Sequence, residues 1–462
     1  MSKVASEIFK AYDIRGIVDK SLTDETVELI GKALGTEAKR RGGTTITIGY
    51  DGRLSGPRFA KALAHGMQST GINVIDIGMV VTPMVYFGAF HFNTESGVMI
   101  TGSHNPPDYN GIKMVIQGET LALDKIQALK RAIDASDFET ATGSAVGTYE
   151  TRNLTDAYIA RIVGDAKLKR PMKIVVDCGN GAPGAYAPRL FRAMGCEVIE
   201  LFCEVDGTFP NHHPDPAQPK NLQDVIRTLR ETDAELGLAF DGDGDRLGVV
   251  TKDGEIIFPD RQLMLFAADV LSRVPGGEVI FDVKTSRNMF KWVRDHGGKP
   301  TMYKTGHSLL KLKMKETGAP LAGEMSGHIF FKERWYGFDD ALYCGARLLE
   351  IVSKGADASA PLKALPDAIS TPELNWQLKE GEPHALVEEL QRSAKFVGAT
   401  EVITIDGVRV EYPDGFGLAR ASNTTPVIVL RFEAETEAGL TRIKEDFRRV
   451  LTAAKSDVPL PY

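Results

Sequence analysis

Short apolar or β-branched runs that end at an aspartate recur four times along the chain. Turn residues and then a segment of helical periodicity follow each run. The runs are TTITIGYD, MKIVVD, ELGLAFD and EVIFD, and they end at Asp51, Asp177, Asp241 and Asp282. After the first run, Phe59, Leu63 and Met67 form one apolar stripe, as on an amphipathic helix. The pattern predicts repeated βα units in α/β domains with largely parallel sheets. Each aspartate would then lie at the carboxyl end of a strand, where such sheets bind ligands.

The C-terminal segment has a different pattern. It contains the strand-like runs EVITI, VRVEY and VIVLRFE, and one helix follows them. Leu440, Ile443, Phe447, Val450 and Leu451 share one face of that helix. Although 462 residues suggest about three domains, this change of pattern predicts four. We expect three similar mixed-sheet α/β domains over residues 1–148, 149–251 and 252–365, and a smaller α+β domain over 366–462.

Composition excludes several classes of protein. Hydrophobic residues make up 43% and charged residues 25% of the chain, which is typical of a soluble globular protein. The formal charge of −7 disfavours a surface that binds nucleic acid. The four cysteines form no CxxC pair, so we expect free thiols in a reducing compartment. No run approaches the roughly 20 apolar residues that cross a bilayer, and the start lacks a signal-peptide pattern. We therefore expect a cytoplasmic protein that binds neither membrane nor nucleic acid.

Two motifs predict chemistry most directly. The segment TGSHNPPDYNGIK must be a loop because of its prolines, asparagines and glycines, and it carries Ser103, His104 and Lys113. It could present an activated hydroxyl to a ligand, or it could be a turn whose polar side chains cap backbone groups. A serine hydrolase is disfavoured because the chain has no GxSxG motif at this serine.

The second motif, AFDGDGDRLG, spaces three carboxylates by single glycines, at Asp241, Asp243 and Asp245. Carboxylates this close repel one another unless a cation neutralises them, and an all-oxygen set suits Mg²⁺ or Ca²⁺. An EF-hand is excluded, because Arg246 and Lys252 stand where that loop needs glycine and glutamate. The alternative is a polar hairpin turn, and we favour the metal.

Three further loops could bind a sugar phosphate, although each could instead be a turn or helix cap. LAGEMSGHIFF offers Glu324, Ser326 and His328, and a carboxylate can accept two vicinal sugar hydroxyls. YKTGHSLLK places Lys304 and His307 at a helix start, where an anion is favoured. GLARASNTTPVIVLRF supplies a donor set matched to a phosphate dianion. Its members are Arg420, Ser422, Asn423 and Thr424.

One motif favours a different function. Gly179, Gly181 and Gly184 in GNGAPG satisfy the GxGxxG pattern of dinucleotide sites directly after a predicted strand. Pro183 stiffens the turn where backbone amides would have to face a pyrophosphate. We interpret the glycines as tight packing between strand and helix, and a dinucleotide-dependent oxidoreductase remains the alternative.

Taken together, TGSHNP, DGDGDR, GEMSGH and RASNTTP resemble, in that order, the α-D-phosphohexomutase family and its bacterial phosphomannomutase/phosphoglucomutase group. The resemblance covers essentially the whole chain and implies four domains around a central cleft. It implies that Ser103 is a phosphoserine that exchanges its phosphoryl group with a hexose phosphate through a 1,6-bisphosphate. It further implies that Mg²⁺ binds Asp241, Asp243, Asp245 and the Ser103 phosphate. His104, Lys113 and Arg246 would contact substrate or assist proton transfer.

The resemblance also implies a binding role for the remaining loops. Glu324 and Ser326 would grip the hydroxyls that glucose and mannose share, whereas Arg420, Ser422, Asn423 and Thr424 would hold the phosphate that does not react. Four more cleft positions are Tyr12, Arg15, Lys284 and His307. We expect a monomeric mutase of mannose and glucose phosphates, with glucose or mannose 1,6-bisphosphate as activator and a hinge near residue 366. A non-catalytic phosphosugar-binding protein is the other alternative.

Overall fold

The structure is a computed structural model that describes residues 4–423 and 425–462. The strands of these residues form four sheets, one after another along the chain. Every helix in the described residues is too short or too polar to cross a membrane. All four cysteines are free thiols, as the sequence predicts.

The first sheet is mixed. Its strands are β1 (Ile14–Ile17), β2 (Thr45–Tyr50), β3 (Asn73–Met79), β4 (Gly97–Ile100), β5 (Tyr109–Ile116), β6 (Glu119–Thr120) and β7 (Tyr149–Thr151). Their order is β1-β5-β4-β2-β3-β7, with β6 beside β5. Around them pack α1 (Asp24–Arg40), α2 (Gly56–Gln68), α3 (Thr82–His91) and α4 (Asp124–Ala135). Parallel pairing of β2 with β3 and β4 brings the loops after β2 and β4 to one edge.

The second sheet is also mixed. It contains β8 (Met172–Asp177), β9 (Cys196–Leu201), β10 (Leu236–Phe240), β11 (Leu247–Thr251) and β12 (Ile256–Ile257), in the order β12-β11-β10-β8-β9. Its helices are α5 (Thr155–Asp165), α6 (Ala187–Ala193) and α7 (Gln223–Glu231). Because β10 and β11 are antiparallel neighbours, the aspartate motif lies in the hairpin between them.

The third sheet has the order β14-β13-β15-β16, where the strands are β13 (Glu278–Asp282), β14 (Lys299–Tyr303), β15 (Leu321–Gly323) and β16 (Ile329–Phe331). Its helices are α8 (Pro259–Leu271), α9 (Asn288–Asp295), α10 (His307–Thr317), α11 (Ala341–Val352) and α12 (Ala360–Lys363). The hairpin of β15 and β16 presents the GEMSGH turn.

The C-terminal sheet is antiparallel throughout its described pairs, as predicted for the α+β segment. It consists of β17 (Ile369–Ser370), β18 (Leu374–Gln377), β19 (Glu401–Ile403), β20 (Val408–Tyr412), β21 (Gly415–Ala421) and β22 (Val427–Ala434). One face is covered by α13 (Glu382–Ser393) and α14 (Glu437–Ala454). The predicted apolar face of α14 is buried, and so is the stripe on α2.

The sheets group the chain into nearly the predicted ranges. Tyr149–Thr151 pairs with β3 of the first sheet, and Ile256–Ile257 pairs with β11 of the second. Each of these short strands lies just beyond a predicted boundary. The boundaries at 148, 251 and 365 stay predictions.

One apolar core joins the first three domains, whereas the fourth has its own. The shared core runs from Ile75 to Leu365 and includes an aromatic contact of Phe87 with Tyr158, with ring centroids 5.6 Å apart. The separate core of the fourth domain is built around Trp376 and Phe447. The loops at the strand ends of all four domains face one cleft.

Candidate active site

The predicted serine loop joins β4 to β5 and is a loop in the structure. Ser103 has a φ of +48°, a left-handed conformation that is uncommon for residues with a side chain. Its amide donates to Thr101 Oγ1 at 2.8 Å, and Thr101 Oγ1 donates to Asp51 Oδ2 at 2.7 Å. The aspartate that ends the first predicted strand therefore supports the loop.

Arg53 supports the same loop from the protein interior. Its side chain is fully buried, and its Nε lies 3.3 Å from Asp51 Oδ2. Its two Nη atoms donate to four carbonyl oxygens at 2.5–2.9 Å, those of Ser103, Asn105, Pro106 and Tyr109. Arg53 is absent from the predicted site, because in YDGRLSG it has the pattern of an exposed turn residue.

The loop between β10 and β11 carries Asp241, Asp243 and Asp245, and all three are fully buried. One oxygen from each carboxylate lies within 4.8 Å of the other two. Asp241 Oδ1 also accepts the amides of Gly244, Asp245 and Arg246, each at 3.1 Å. Gly244 has a φ of +75°, which a glycine adopts without strain. The carboxylates converge as the spacing predicts.

The serine loop and the aspartate loop meet. Ser103 Oγ donates to Asp241 Oδ2 at 2.9 Å and lies 3.2 Å from His104 Nδ1. A Cβ on Gly242 would lie 2.5 Å from the Ser103 carbonyl oxygen, so the close approach requires glycine there. A hydroxyl of the first domain and carboxylates of the second thus form one cluster.

Lys113 neutralises part of this cluster. Its ammonium donates to Asp243 Oδ2 at 2.7 Å and to Asp245 Oδ2 at 2.5 Å. Although burial acts in the opposite direction, these two carboxylates raise the pKa of Lys113 well above its usual value. Burial and the neighbouring Asp245 and Asp243 raise the pKa of Asp241 well above the usual aspartate range. Even with Arg246, whose Nε lies 3.9 Å from Asp241 Oδ2, the cluster has fewer cations than carboxylates.

The remaining oxygens fit a divalent cation. Asp243 Oδ1 and Asp245 Oδ1 are buried and have no hydrogen-bond partner within the part of the chain that the structure describes. Oxygen ligands of this kind suit Mg²⁺, which usually binds one or two carboxylates together with phosphate oxygens. The donor set thus matches the metal that the sequence predicts.

The cluster opens into a cleft of about 1030 Å³ between the four domains. Every predicted catalytic and substrate residue that the structure describes lines it, apart from the aspartates beneath. These residues are Tyr12, Arg15, Ser103, His104, Lys113, Arg246, Lys284, His307, Glu324, Ser326, Arg420, Ser422 and Asn423. Thr424 lies outside the described residues. Lys304 is exposed and does not line the cleft.

The third domain contributes a carboxylate to the cleft wall. Glu324 is buried, and its Oε1 accepts the amide of Gly306 at 2.5 Å. Ser326 Oγ donates to the other oxygen, Oε2, at 3.4 Å. Burial raises the pKa of Glu324. The carboxylate is therefore fixed by the backbone and lines the cleft.

The fourth domain reaches the first across the cleft mouth. Asn423 Nδ2 donates to the Tyr12 hydroxyl, which itself donates to the Thr305 carbonyl at 2.7 Å. Burial raises the pKa of Tyr12 to about 12, so the phenol stays protonated. Arg420 Nε donates to Asp406 at 3.0 Å, whereas its buried Nη2 has no hydrogen-bond partner in the described chain. A guanidinium edge remains available for an anion.

Two further cleft residues, Glu373 and His213, were absent from the predicted site. Glu373 accepts from Lys284 Nζ at 2.6 Å, and although burial opposes it, Lys284 lowers the pKa of Glu373. His213 and His328 also line the cleft, and Arg246 Nε donates to His328 Nε2 at 3.0 Å. The sequence predicted His328 as part of the GEMSGH loop, but the family resemblance assigned it no role. Glu373 lies between two short strands with no motif around it.

The GNGAPG loop packs tightly, as we interpreted it. A Cβ on Gly184 would lie 2.1 Å from the Cys203 carbonyl oxygen, and one on Gly181 would lie 2.8 Å from Gly242 Cα. The loop thus braces the aspartate loop, since Ala182 N also donates to the Gly242 carbonyl at 3.0 Å.

Comparison with known proteins gives a consistent match over the chain. Family models described as phosphoglucomutase/phosphomannomutase alpha/beta/alpha domains I, II and III match residues 6–140, 156–254 and 258–369, and the C-terminal domain model matches 373–450. A phosphoglucomutase of Neisseria meningitidis is 59% identical over 98% of both chains. A phosphomannomutase/phosphoglucomutase of Pseudomonas aeruginosa is 55% identical over 99% of this chain and 98% of its own.

A solved structure shares the fold. The phosphoglucomutase/phosphomannomutase family protein of Burkholderia thailandensis is 58% identical and superposes with a TM-score of 0.94, over 99% of this chain and all of that one. Fold, site and relatives together define an enzyme that transfers phosphoryl groups, a phosphohexomutase. The chain belongs to the phosphoglucomutase/phosphomannomutase family. The predicted resemblance, fold class and enzyme class are confirmed, and the oxidoreductase and the non-catalytic binding protein are not supported.

Proposed function

We propose that this chain interconverts the 1- and 6-phosphates of glucose and mannose through a phosphoserine at Ser103. The main support for this proposal is the 2.9 Å hydrogen bond from Ser103 Oγ to Asp241 Oδ2, at the inner end of a cleft lined by several cationic side chains. Names of close relatives include both phosphoglucomutase and phosphomannomutase, which supports both hexoses as substrates.

In the proposed reaction, the phosphoserine gives its phosphoryl group to the free hydroxyl of a hexose phosphate. The bond from phosphorus to Ser103 Oγ breaks, a bond to the sugar oxygen forms, and the hydroxyl proton leaves to a base. The resulting 1,6-bisphosphate turns over in the cleft and returns its other phosphoryl group to Ser103. Glucose or mannose 1,6-bisphosphate would therefore activate a protein that has lost its phosphate.

The chain's own groups would offset charge during transfer. Lys113 and Arg246 bring cationic donors to the serine end, and preorganised donors of this kind are a large contribution to phosphoryl transfer. Burial and the charge of Arg246 lower the pKa of His104 well below its usual value, so its ring stays neutral. Mg²⁺ held by Asp241, Asp243 and Asp245 would neutralise charge on the transferring group.

The opposite end of the cleft would hold the rest of the substrate. Glu324 and Ser326 would accept and donate hydrogen bonds to hydroxyls that glucose and mannose share. Arg420, Ser422, Asn423 and Thr424 would bind the phosphate that does not react, with Tyr12, Arg15, Lys284 and His307 along the wall. Because one chain supplies every part of this site, we expect it to act as a monomer. Its free cysteines suit the cytoplasm.

Ser103→Ala tests the proposal. Purified wild type should carry phosphate on the Ser103 peptide by mass spectrometry, and it should convert glucose 1-phosphate and mannose 1-phosphate to the 6-phosphates. EDTA should stop turnover and added Mg²⁺ should restore it. The matched control is Ser69→Ala, because the Ser69 hydroxyl only donates to the Gly66 carbonyl at the end of α2. Turnover by Ser103→Ala at the rate of this control would refute the phosphoserine.

A further inference from the structure

A buried carboxylate that does not line the cleft organises several groups that do. Asp339 precedes α11 and is fully buried. Its Oδ1 accepts from Lys311 Nζ at 3.0 Å, and its Oδ2 lies 3.0 Å from His328 Nδ1 and 3.8 Å from His307 Nδ1. Although burial acts in the opposite direction, Lys311 and His328 hold the pKa of Asp339 well below its usual range, so it is ionised.

The second nitrogen of His328 determines which tautomer is present. Arg246 Nε donates to His328 Nε2 at 3.0 Å, and a guanidinium has only donors. His328 Nε2 must therefore be the unprotonated nitrogen, and Nδ1 carries the proton. Asp339 Oδ2, at 3.0 Å, is the carboxylate oxygen nearer to Nδ1, since Asp245 Oδ1 lies 3.6 Å away. The contact is electrostatic and not an aligned hydrogen bond, and neither Nδ1 nor Oδ2 has a hydrogen-bond partner in the described residues.

We propose that Asp339 is a positioning residue that fixes the Nδ1-protonated tautomer of His328 and thereby holds Arg246 beside Ser103. Asp339 touches no substrate in this arrangement. It acts through the ring, because only an unprotonated Nε2 can accept from Arg246. Arg246 Nε lies 3.9 Å from Asp241 Oδ2, the oxygen that also accepts from Ser103 Oγ. The inference rests on the mutase activity proposed above.

Asp339→Asn provides a sharp test because Lys311 dictates how the new amide must lie. The lysine is a donor, so the amide oxygen should keep the position of Oδ1 and the amide NH₂ should face His328 Nδ1. Nδ1 would then have to accept, and the proton would move to Nε2. A protonated Nε2 would face the Nε–H of Arg246, and this contact between two donors would displace the guanidinium.

The matched control is Asp340→Asn. Asp340 is the adjacent residue and equally buried, but its carboxylate accepts from the Tyr158 hydroxyl and the Tyr343 amide, outside the cleft. The second variant is the double change Asp339→Asn with Lys311→Met. Without the lysine, the amide is free to turn its oxygen towards His328 Nδ1.

We expect Asp339→Asn to lower kcat by about 10–100-fold, with a smaller change in KM. In protein labelled with ¹⁵N-histidine, the protonated nitrogen of His328 should be Nδ1 in the wild type and Nε2 in Asp339→Asn. Asp340→Asn should keep the wild-type tautomer and kcat. The double variant should regain activity relative to Asp339→Asn, which a purely structural role for Asp339 does not predict.

Three results would overturn the inference: equal kcat for Asp339→Asn and Asp340→Asn, Nδ1 still protonated in Asp339→Asn, or no recovery in the double variant. If Asp339→Asn does not fold, the wild-type spectrum still decides, because protonation at Nε2 would contradict the inference. The tautomer is measured without turnover. A wild type that fails to isomerise hexose phosphates would therefore count against the proposed function only. The histidine spectrum would still test whether Asp339 determines the tautomer of His328.

Discussion

Replacement of Arg53 tests whether the strained serine loop depends on one buried guanidinium. Arg53→Met keeps an unbranched aliphatic stem but removes the guanidinium, with its charge and all its donors. It takes away four hydrogen bonds to loop carbonyls, at 2.5–2.9 Å, and leaves the buried Asp51 without its cation. The loop would then have to hold Ser103 at its φ of +48° without this support.

The expected loss of activity follows from the burial of the ion pair between Arg53 and Asp51. Breaking a buried ion pair by removing one partner costs about 3–5 kcal/mol, because the other charge is left uncompensated. The left-handed backbone of Ser103 itself stores about 1–3 kcal/mol, which the loop can release by leaving that conformation. If only about 3 kcal/mol of this support is local to the loop, the active conformer becomes about 100-fold rarer. We expect kcat to fall by a similar factor.

Two measurements separate a local effect from general destabilisation. Hydrogen exchange should accelerate at the amides of residues 101–109 more than at the amides of β2, and kcat should fall with it. Arg58→Met is the matched control, since Arg58 is 39% exposed in its side chain and pairs with Asp19 and Asp24 at the surface. Such surface pairs contribute about 1 kcal/mol or less.

A kcat of Arg53→Met within about twofold of wild type, with wild-type exchange rates at the loop amides, would show that the loop does not depend on Arg53. Equal acceleration of exchange throughout the first domain would show that the guanidinium stabilises the domain and not the loop. Arg58→Met should change neither readout.

Three further outcomes test other parts of the structure. Glu324→Ala should raise KM for glucose and mannose phosphates alike by about 10–100-fold, since hydrogen bonds to a charged group contribute about 1.5–3 kcal/mol. Parallel initial-rate assays with the two hexose phosphates measure this change. A rise in KM for one hexose alone would contradict the proposal that Glu324 binds hydroxyls that both sugars share. Gly184→Ala should lower the melting temperature, because its Cβ would lie 2.1 Å from the Cys203 carbonyl oxygen. The control Gly164→Ala, inside α5, has open space around its Cβ and should stabilise the protein by about 0.5–1 kcal/mol. Equal changes in melting temperature for the two variants would refute the packing role of GNGAPG. Burial raises the pKa of Asp340 to about 7 from its usual 3.8, so the unfolded chain releases this proton at a lower pH than the folded protein does. The free energy of unfolding should therefore fall by about 4 kcal/mol between pH 4 and 7 and level off above pH 7. Chemical denaturation should show this pH dependence in the wild type and not in Asp340→Asn.

The sequence predicted the parts of the site whose chemistry is local. The three aspartates lie within five residues of one another, and the glycines between them signal a tight loop. Ser103 lies in a segment whose prolines exclude regular structure. Such motifs can be interpreted without knowledge of the fold, because the residues that act together are neighbours in the chain. The structure brings them together as expected.

Residues that act over long separations could not be predicted in this way. Arg53 reaches carbonyls about 50 residues later, and nothing near YDGRLSG indicates that this turn is buried. Asp339 and Asp340 both look like caps for α11, but only Asp340 accepts the Tyr343 amide, whereas Asp339 pairs with Lys311 on α10. Identical neighbours thus have different roles that depend on which helix packs beside them. Pairing of that kind is a property of the tertiary fold.

The distribution of apolar contacts explains why the two ends of the cleft differ in rigidity. Ser103, the aspartates and Glu324 belong to the three domains that share one core, so moving them apart would expose apolar surface to water. The fourth domain has its own core and joins the third through a small apolar cluster, in which Val283 packs with Phe416 and Leu418. Polar contacts add to this interface, such as those of Arg409 with the Val283 and Thr285 carbonyls at 2.7 and 2.6 Å. Hydrogen bonds exchange with water at a net cost of about 0.5–1.5 kcal/mol each. Opening at the expected hinge near residue 366 would therefore separate only this small cluster and these hydrogen bonds, whereas the groups that meet Ser103 would keep their geometry.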